Sequence, residues 1–173
     1  LLASTMLAAR PGERVLDLCA APGGKALRAA AMMEDRGTLI ANELNGGRIV
    51  SLRRNFERML MTCAAVTHGN GMSYPDSSRG FDRVIADVPC TCEGTSRKQS
   101  LRNPSASGTF RTSINQAQKG LLRHALKLCR SGGTVLYATC TYAPEENELV
   151  IDACGPTESF EVIQLDLPKT IVT

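Results

Sequence analysis

Short apolar runs alternate along this chain with segments whose apolar residues recur at helical spacing. Arg14 to Leu18, Thr38 to Ala41, Ala64 to His68, Phe81 to Ala86 and Thr134 to Thr139 read as strands. Between them, Lys25 to Met33 is rich in Ala and favours a helix. Ile49, Leu52, Phe56, Met59 and Leu60 fall on one helical face, with Arg48, Arg54 and Arg58 off it. Ile114 to Cys129 repeats apolar residues at Leu121, Leu122, Ala125, Leu126 and Leu128, and Ser131-Gly132-Gly133 stops that helix. Pro144 followed by Glu145, Glu146 and Glu148 suits a helix start, where negative charge meets the dipole. Phe160 to Leu165 reads as a sixth strand. The long polar stretch from Glu93 to Ser113 reads as a functional loop.

This order predicts an α/β fold with a mostly parallel central sheet and helices on both faces. In such sheets ligands bind beyond the carboxyl ends of the strands. The segments Asp17 to Lys25, Glu43, His68 to Asn70, Asp87 to Cys90 and Cys140 each follow a strand, so they should converge on one rim.

Composition narrows the class. At 173 residues and 43% hydrophobic, the chain is a single domain over 1–173 with one sizeable core. It begins with Leu1 and is expected to be an excerpt of a longer protein. No apolar run is long enough to span a bilayer. The seven cysteines are spread widely without CxxC spacing, so neither a disulfide framework nor a metal site is expected. Free thiols fit a reducing compartment, the cytoplasm, with the nucleolus or an organelle as the eukaryotic equivalents. Core packing is the bland reading for Cys19, Cys63, Cys129 and Cys154. His68 and His124 read as structural.

Net charge is only +3, but it is unevenly placed. From Gly94 to Pro144 there is no acid, while Arg97, Lys98, Arg102, Arg111, Lys119, Arg123, Lys127 and Arg130 are basic. A one-sign stretch beside a reactive loop is the footprint expected for a polyanion, although a solvated helix face gives the same pattern.

Two constellations carry chemistry. In Asp17-Leu18-Cys19-Ala20-Ala21-Pro22-Gly23-Gly24-Lys25 the glycines let backbone approach a ligand, and Glu43 can accept ribose hydroxyls. The loop is not GxGxxG, so S-adenosylmethionine fits better than a dinucleotide. The second constellation is Cys90 and Cys140, each just past a strand. A thiolate adding to C6 of a pyrimidine makes C5 nucleophilic toward an electrophilic methyl group, and a second group must then remove the C5 proton. Asp87 is positioned to hydrogen-bond cytosine N3, and Lys25 to help ionise a thiol.

These motifs, with Glu93-Gly94-Thr95 and Glu145-Glu146-Asn147-Glu148, resemble the RNA cytosine-5 methyltransferases. That group includes the bacterial small-subunit rRNA enzymes and the nucleolar proteins related to them. The resemblance runs from Leu1 to about Ile151. It implies a Rossmann-like class I methyltransferase fold, S-adenosyl-L-methionine as cofactor and RNA, either rRNA or tRNA, as substrate. It further implies Cys140 as nucleophile and Cys90 as the aid to release. Cys19, Ala20, Ala21, Pro22, Gly23, Gly24, Lys25, Glu43, Asn70 and Asp87 would line the cofactor site, with Lys25 and Asp87 also facing the base. An N-terminal RNA-binding part and a closing C-terminal strand would lie outside the chain. Two positions depart from the pattern: Asn70 stands where Asp is usual, and Cys92 where Gly is common. Two other readings stay open: a non-catalytic RNA-binding or ribosome-assembly module that keeps the fold, and a methyltransferase acting on DNA or a small molecule.

Overall fold

A computed structural model describes residues 2–76, 80–94, 108–155 and 159–164. Five parallel strands form one sheet in the order β3-β2-β1-β4-β5. They are β1 (Arg14–Asp17), β2 (Thr38–Glu43), β3 (Ala64–His68), β4 (Phe81–Asp87) and β5 (Cys129–Ala138). The helices are α1 (Leu2–Met6), α2 (Gly24–Met32), α3 (Gly46–Arg58), α4 (Gly108–Leu128) and α5 (Glu148–Cys154). This is the parallel α/β layout expected from the alternating pattern, and the Rossmann-like fold that the resemblance implies.

Central strands of a parallel sheet are covered on both faces, so Val15-Leu16, Leu39-Ile40-Ala41 and Val84-Ile85-Ala86 are continuous apolar runs whose alternate side chains serve opposite layers. Val15, Leu39, Ala41 and Ile85 pack with Ala26, Ala29 and Ala30 of α2 and with Leu52 and Phe56 of α3. Their neighbours Leu16, Val84 and Ala86 pack with Leu121, Ala125 and Leu128 of α4 on the other face. The small Ala face of α2 lets that helix lie close over β1. Leu122 of α4 joins Val150 and Cys154 of α5 in a further cluster.

Several expectations are corrected. The third helix ends at Arg58, so Met59 and Leu60 leave the helical face; Leu60 has a left-handed backbone (φ +52) and is 82% exposed. Helix α4 begins at Gly108, so the end of the predicted loop is helical, and it stops at Leu128 with Cys129 already in β5. Ser131-Gly132-Gly133 interrupts the strand register instead of standing between elements: Phe81 pairs with Cys129, but Arg83 pairs with Thr134. Residues 159–164 form no strand, and Leu165 lies outside the described residues. Among the described residues, no helix is long and apolar enough to cross a membrane.

Part of the basic stretch has structural partners. Arg130 pairs with Asp82 at 2.6 Å, Arg111 with Glu93 at 3.2 Å, and Arg123 donates to the Ala153 carbonyl at 3.0 Å. Lys119 and Lys127 also lie on α4, whereas Arg97, Lys98 and Arg102 lie outside the described residues. His68 and His124 each hold a backbone carbonyl, Leu44 at 2.9 Å and Tyr74 at 2.7 Å, in keeping with structural roles.

Candidate active site

Parallel strands bring every carboxyl end to one rim. Asp17 closes β1, Glu43 closes β2, and Asp87 closes β4; Asn70 follows β3 by two residues and Cys140 follows β5 by two. The sequence-predicted residues therefore gather in two adjoining groups.

The first group surrounds the loop from Leu18 to Lys25. Glu43 is 3% exposed, and its carboxylate accepts from the Ala21 amide (3.2 Å) and the Asn45 amide (2.8 Å), tying the loop to the end of β2. Arg48 stands 3.7 Å from the same carboxylate and donates to the Ala21 carbonyl. Buried Asn42 donates to the Leu18 carbonyl at 3.0 Å and the Gly69 carbonyl at 2.9 Å, which joins the first loop to the turn after β3. In that turn the Asn70 side chain accepts from the Met72 amide at 3.0 Å and caps a short 3₁₀ turn, Gly71–Ser73. Gly23 takes φ +109, and a Cβ there would lie 2.9 Å from Leu52 Cδ1. Only glycine satisfies both demands.

Asp17 lies beneath this loop, fully buried. Its Oδ1 accepts from the Cys19 amide at 3.2 Å, and its Oδ2 has no hydrogen-bond partner. Burial raises its pKa to about 7, with Asp87 and Glu43 adding to the rise. Burial, then the charge on Asp17, pushes the Cys19 thiol up to about 12, so Cys19 is an inert wall of the loop.

Lys25 Nζ and Asp87 Oδ2 are 2.6 Å apart and link the first group to the second. The second group is a cluster of thiols. Cys90 Sγ lies 3.1 Å from Cys140 Sγ and accepts from the Cys140 amide at 3.3 Å. Cys92 Sγ lies 3.9 Å from Cys90 Sγ. Cys140 is exposed, and Cys90 and Cys92 are half-buried. In this structure the Lys25 ammonium is paired with Asp87 and with neither thiol. Desolvation pushes Cys140 above the ordinary thiol value, with Cys92 and the Asp87 charge also raising it against a lowering hydrogen bond from Cys90. Cys90 is likewise raised, first by burial and then by its hydrogen bond to Cys140.

A buried carboxylate clamps the two thiol loops together. Glu146 is 4% exposed; it accepts from the Thr91 hydroxyl (2.6 Å), the Thr91 amide (3.0 Å) and Gln118 Nε2 (2.8 Å). Gln118 also donates to the Pro89 carbonyl at 2.9 Å, and Thr91 Oγ1 meets Thr141 Oγ1 at 3.0 Å. Tyr137 donates to the Glu146 carbonyl at 2.7 Å, and Asn147 donates to the Ala143 carbonyl at 2.9 Å. The Gly94 amide donates to the Cys140 carbonyl at 2.8 Å, where a Cβ on Gly94 would also lie 2.8 Å from that oxygen. Residue-type and spacing signals alone leave Gln118 unseen, since it sits mid-helix and 28 residues from its partner. Tyr142, beside Cys140, is 81% exposed and therefore not a packing residue.

The arrangement sets a backbone cradle and a buried acid next to a rim bearing thiols, one of them open to solvent. The family model for 16S rRNA methyltransferase RsmB/F matches residues 4–169. Ribosomal RNA small subunit methyltransferase F of Erwinia tasmaniensis is 39% identical over 143 residues, covering 81% of this chain and 30% of the relative. The human 28S rRNA (cytosine(4447)-C(5))-methyltransferase is 35% identical over 150 residues, covering 84% of this chain and 18% of that protein. Among solved structures, NSun6 from Pyrococcus horikoshii with SFG superposes with a TM-score of 0.81 at 26% identity, covering 88% of this chain and 39% of that one. The chain thus spans less than a third of the length of either curated relative. With the motifs, the sheet order and these matches in agreement, the chain belongs to the RsmB/F family of 16S rRNA methyltransferases.

Proposed function

We propose that this chain is the catalytic part of an S-adenosylmethionine-dependent RNA methyltransferase that forms 5-methylcytosine through a covalent Cys140 adduct. The observation that carries the proposal is the pair of sulfurs 3.1 Å apart at the rim, beside the Lys25–Asp87 pair. A fold-preserving scaffold has no use for two adjacent thiols held by a buried hydrogen-bond clamp. The relatives' names support RNA: one carries small-subunit rRNA and another the C5 position of a cytosine. NSun6 was solved with SFG, an analogue of S-adenosylmethionine.

The first loop fits such a cofactor. Backbone at Ala21 to Gly24 offers close approach, Glu43 closes one side, Asn70 and Asp87 stand on the neighbouring strand ends, and Asp17 offers a buried acceptor with a free oxygen. When bound, the cofactor supplies a methyl group on a sulfonium sulfur, which the nucleophilic C5 of the base takes up. The chain's own residues do the rest. Cys140, exposed on the rim, loses its proton to solvent and adds through Sγ to C6. The Asp87 carboxyl group, acting as the acid, donates a hydrogen bond to N3, and the Lys25 ammonium beside it helps stabilise the negative charge that develops on the ring. Cys90, having first lost its own thiol proton to solvent, takes the C5 proton as a thiolate; the C5–H electron pair forms the C5=C6 bond as the C6–S bond breaks, and Cys140 leaves as a thiolate. Because both thiols are raised in the free protein, substrate binding must supply part of the activation. Tyr142 offers an exposed ring on which a displaced base can stack.

The test is methyl transfer. The intact protein, labelled S-adenosylmethionine and unmodified rRNA should yield labelled 5-methylcytidine on nuclease digestion, and Cys140→Ser should yield none. Label recovered in DNA or a metabolite fraction, or in no acceptor while cofactor binding is intact, would overturn the reading.

A further inference from the structure

Cysteine spacing along the chain gives no reason to expect a metal centre, yet the fold assembles three thiols. Cys90, Cys92 and Cys140 have sulfurs that all lie within 4.8 Å of one another. We propose that these three form a binding site for a soft d¹⁰ cation, zinc(II) foremost, with water as the fourth ligand.

Three observations carry this. First, the spacing suits the ion. Zinc–thiolate bonds of about 2.3 Å in a tetrahedron set the sulfurs about 3.8 Å apart. Cys90 and Cys92 already stand at 3.9 Å. Cys90 and Cys140 stand at 3.1 Å and need only part by several tenths of an ångström, which the exposed Cys140 side chain can do by rotating.

Second, Cys92 is held there against a backbone preference. Its φ of +59 lies in the left-handed region, which a residue with a Cβ adopts at some energetic cost. In that conformation its sulfur lies 3.3 Å from the Cys90 carbonyl oxygen and faces the other two thiols.

Third, the three sulfurs sit on anchored backbone and open to solvent on one side. Glu146 and Gln118 fix the Cys90–Cys92 segment, and the Gly94 amide fixes the Cys140 carbonyl. Exposed Cys140 leaves an entry path and room for a water ligand. Three protein ligands plus water leave one coordination position open. All-sulfur ligation selects zinc, copper(I) or cadmium over magnesium, calcium or manganese.

On binding, three thiol protons pass to solvent and three metal–sulfur bonds form, with no redox change. The ion takes the Cys140 and Cys90 sulfurs, so it reversibly blocks the covalent step proposed above. That consequence rests on the methyl-transfer reading; the site itself does not.

The experiment is a cadmium titration of the reduced, intact protein without RNA or S-adenosylmethionine, followed by thiolate-to-cadmium absorption and native mass spectrometry. Zinc competition gives the zinc affinity. One ion per chain is expected. Cys92→Gly, whose glycine suits the left-handed backbone, should weaken binding at least tenfold, while Cys63→Ser leaves it unchanged. Zinc should protect Cys90, Cys92 and Cys140 together from alkylation. Equal affinity in Cys92→Gly, protection of Cys90 and Cys140 alone, or loss of binding in Cys63→Ser would overturn the site.

Discussion

Replacing Glu146 tests whether one buried carboxylate holds both thiol loops. In Glu146→Ala the Thr91 hydroxyl keeps its contact with Thr141, and Gln118 keeps the Pro89 carbonyl. The Thr91 amide and one Gln118 N–H lose their acceptor. Each buried donor left unpaired costs about 1–3 kcal/mol. Part of that sum is returned because a carboxylate no longer has to be kept out of water. The expected net loss is about 3 kcal/mol, from two such donors less that return. Glu146→Gln is the control. Its amide oxygen can take the place of Oε2 and still accept from Thr91 and Gln118, while its NH₂ donates to a Thr91 hydroxyl turned toward Thr141. That rearrangement should cost about 1 kcal/mol, roughly one exchanged hydrogen bond. Urea unfolding with an unchanged slope measures both losses. Native-state alkylation of Cys140, mapped by mass spectrometry, should be faster in the alanine variant because the loops part. Equal losses in the two variants, or a loss under about 1 kcal/mol in Glu146→Ala, would refute the clamp.

Other predictions concern Asp17, the thiols and Gly94. The Asp17 pKa rises on folding from an unfolded value near 3.8 to about 7, so its contribution to stability is full below pH about 4 and is lost as pH rises to about 7. Three pH units at about 1.4 kcal/mol each make the stability difference between Asp17→Asn and wild type grow by about 4 kcal/mol from pH 4 to pH 8; a difference that does not change with pH in chemical denaturation would contradict it. Because desolvation raises Cys140, its alkylation in the free protein should increase with pH to beyond the midpoint of a free thiol; a midpoint at or below that of glutathione would show that burial has been misjudged. Gly94→Ala forces a Cβ against the Cys140 carbonyl, so methyl transfer should fall about tenfold or more through misplacement of the nucleophile while the circular dichroism stays native; undiminished transfer would show that the Cys140 loop tolerates displacement.

How legible the fold was depended on how local its determinants are. Strand β3 is legible with its observed bounds because its run ends at the breaker Gly69-Asn70-Gly71, and the readings of β1, β2 and β4 differ from the structure only at their ends. Convergence of Asp17 to Lys25, Glu43, Asp87 and Cys140 on one rim followed from the β-α order alone. Met59 and Leu60 misled because their spacing continued the helical period beyond a helix that ends at Arg58, where neither packing nor backbone supports it. Ser131-Gly132-Gly133 misled because a flexible glycine pair serves a register jump against β4 as readily as a turn. Long-range partners were hidden altogether. Thr91 and Glu146 are 55 residues apart, Gln118 looks like any polar residue on α4, and the third thiol at Cys92 joins Cys140 only through the sheet. Lys25 shows the reverse case: its charge is visible in the sequence, but its partner Asp87, 62 residues away, is not.

The covalent step is tested most directly by trapping the adduct. A Cys90→Ala variant of the intact protein, incubated with S-adenosylmethionine and cellular RNA, should accumulate an RNA–protein band that survives denaturing electrophoresis, because the step that frees Cys140 is removed. The band should vanish in Cys90→Ala/Cys140→Ala, and the trapped RNA should carry its crosslink at a single cytosine. A band that persists without Cys140, or no band from a protein that binds the cofactor normally, would contradict a Cys140 nucleophile.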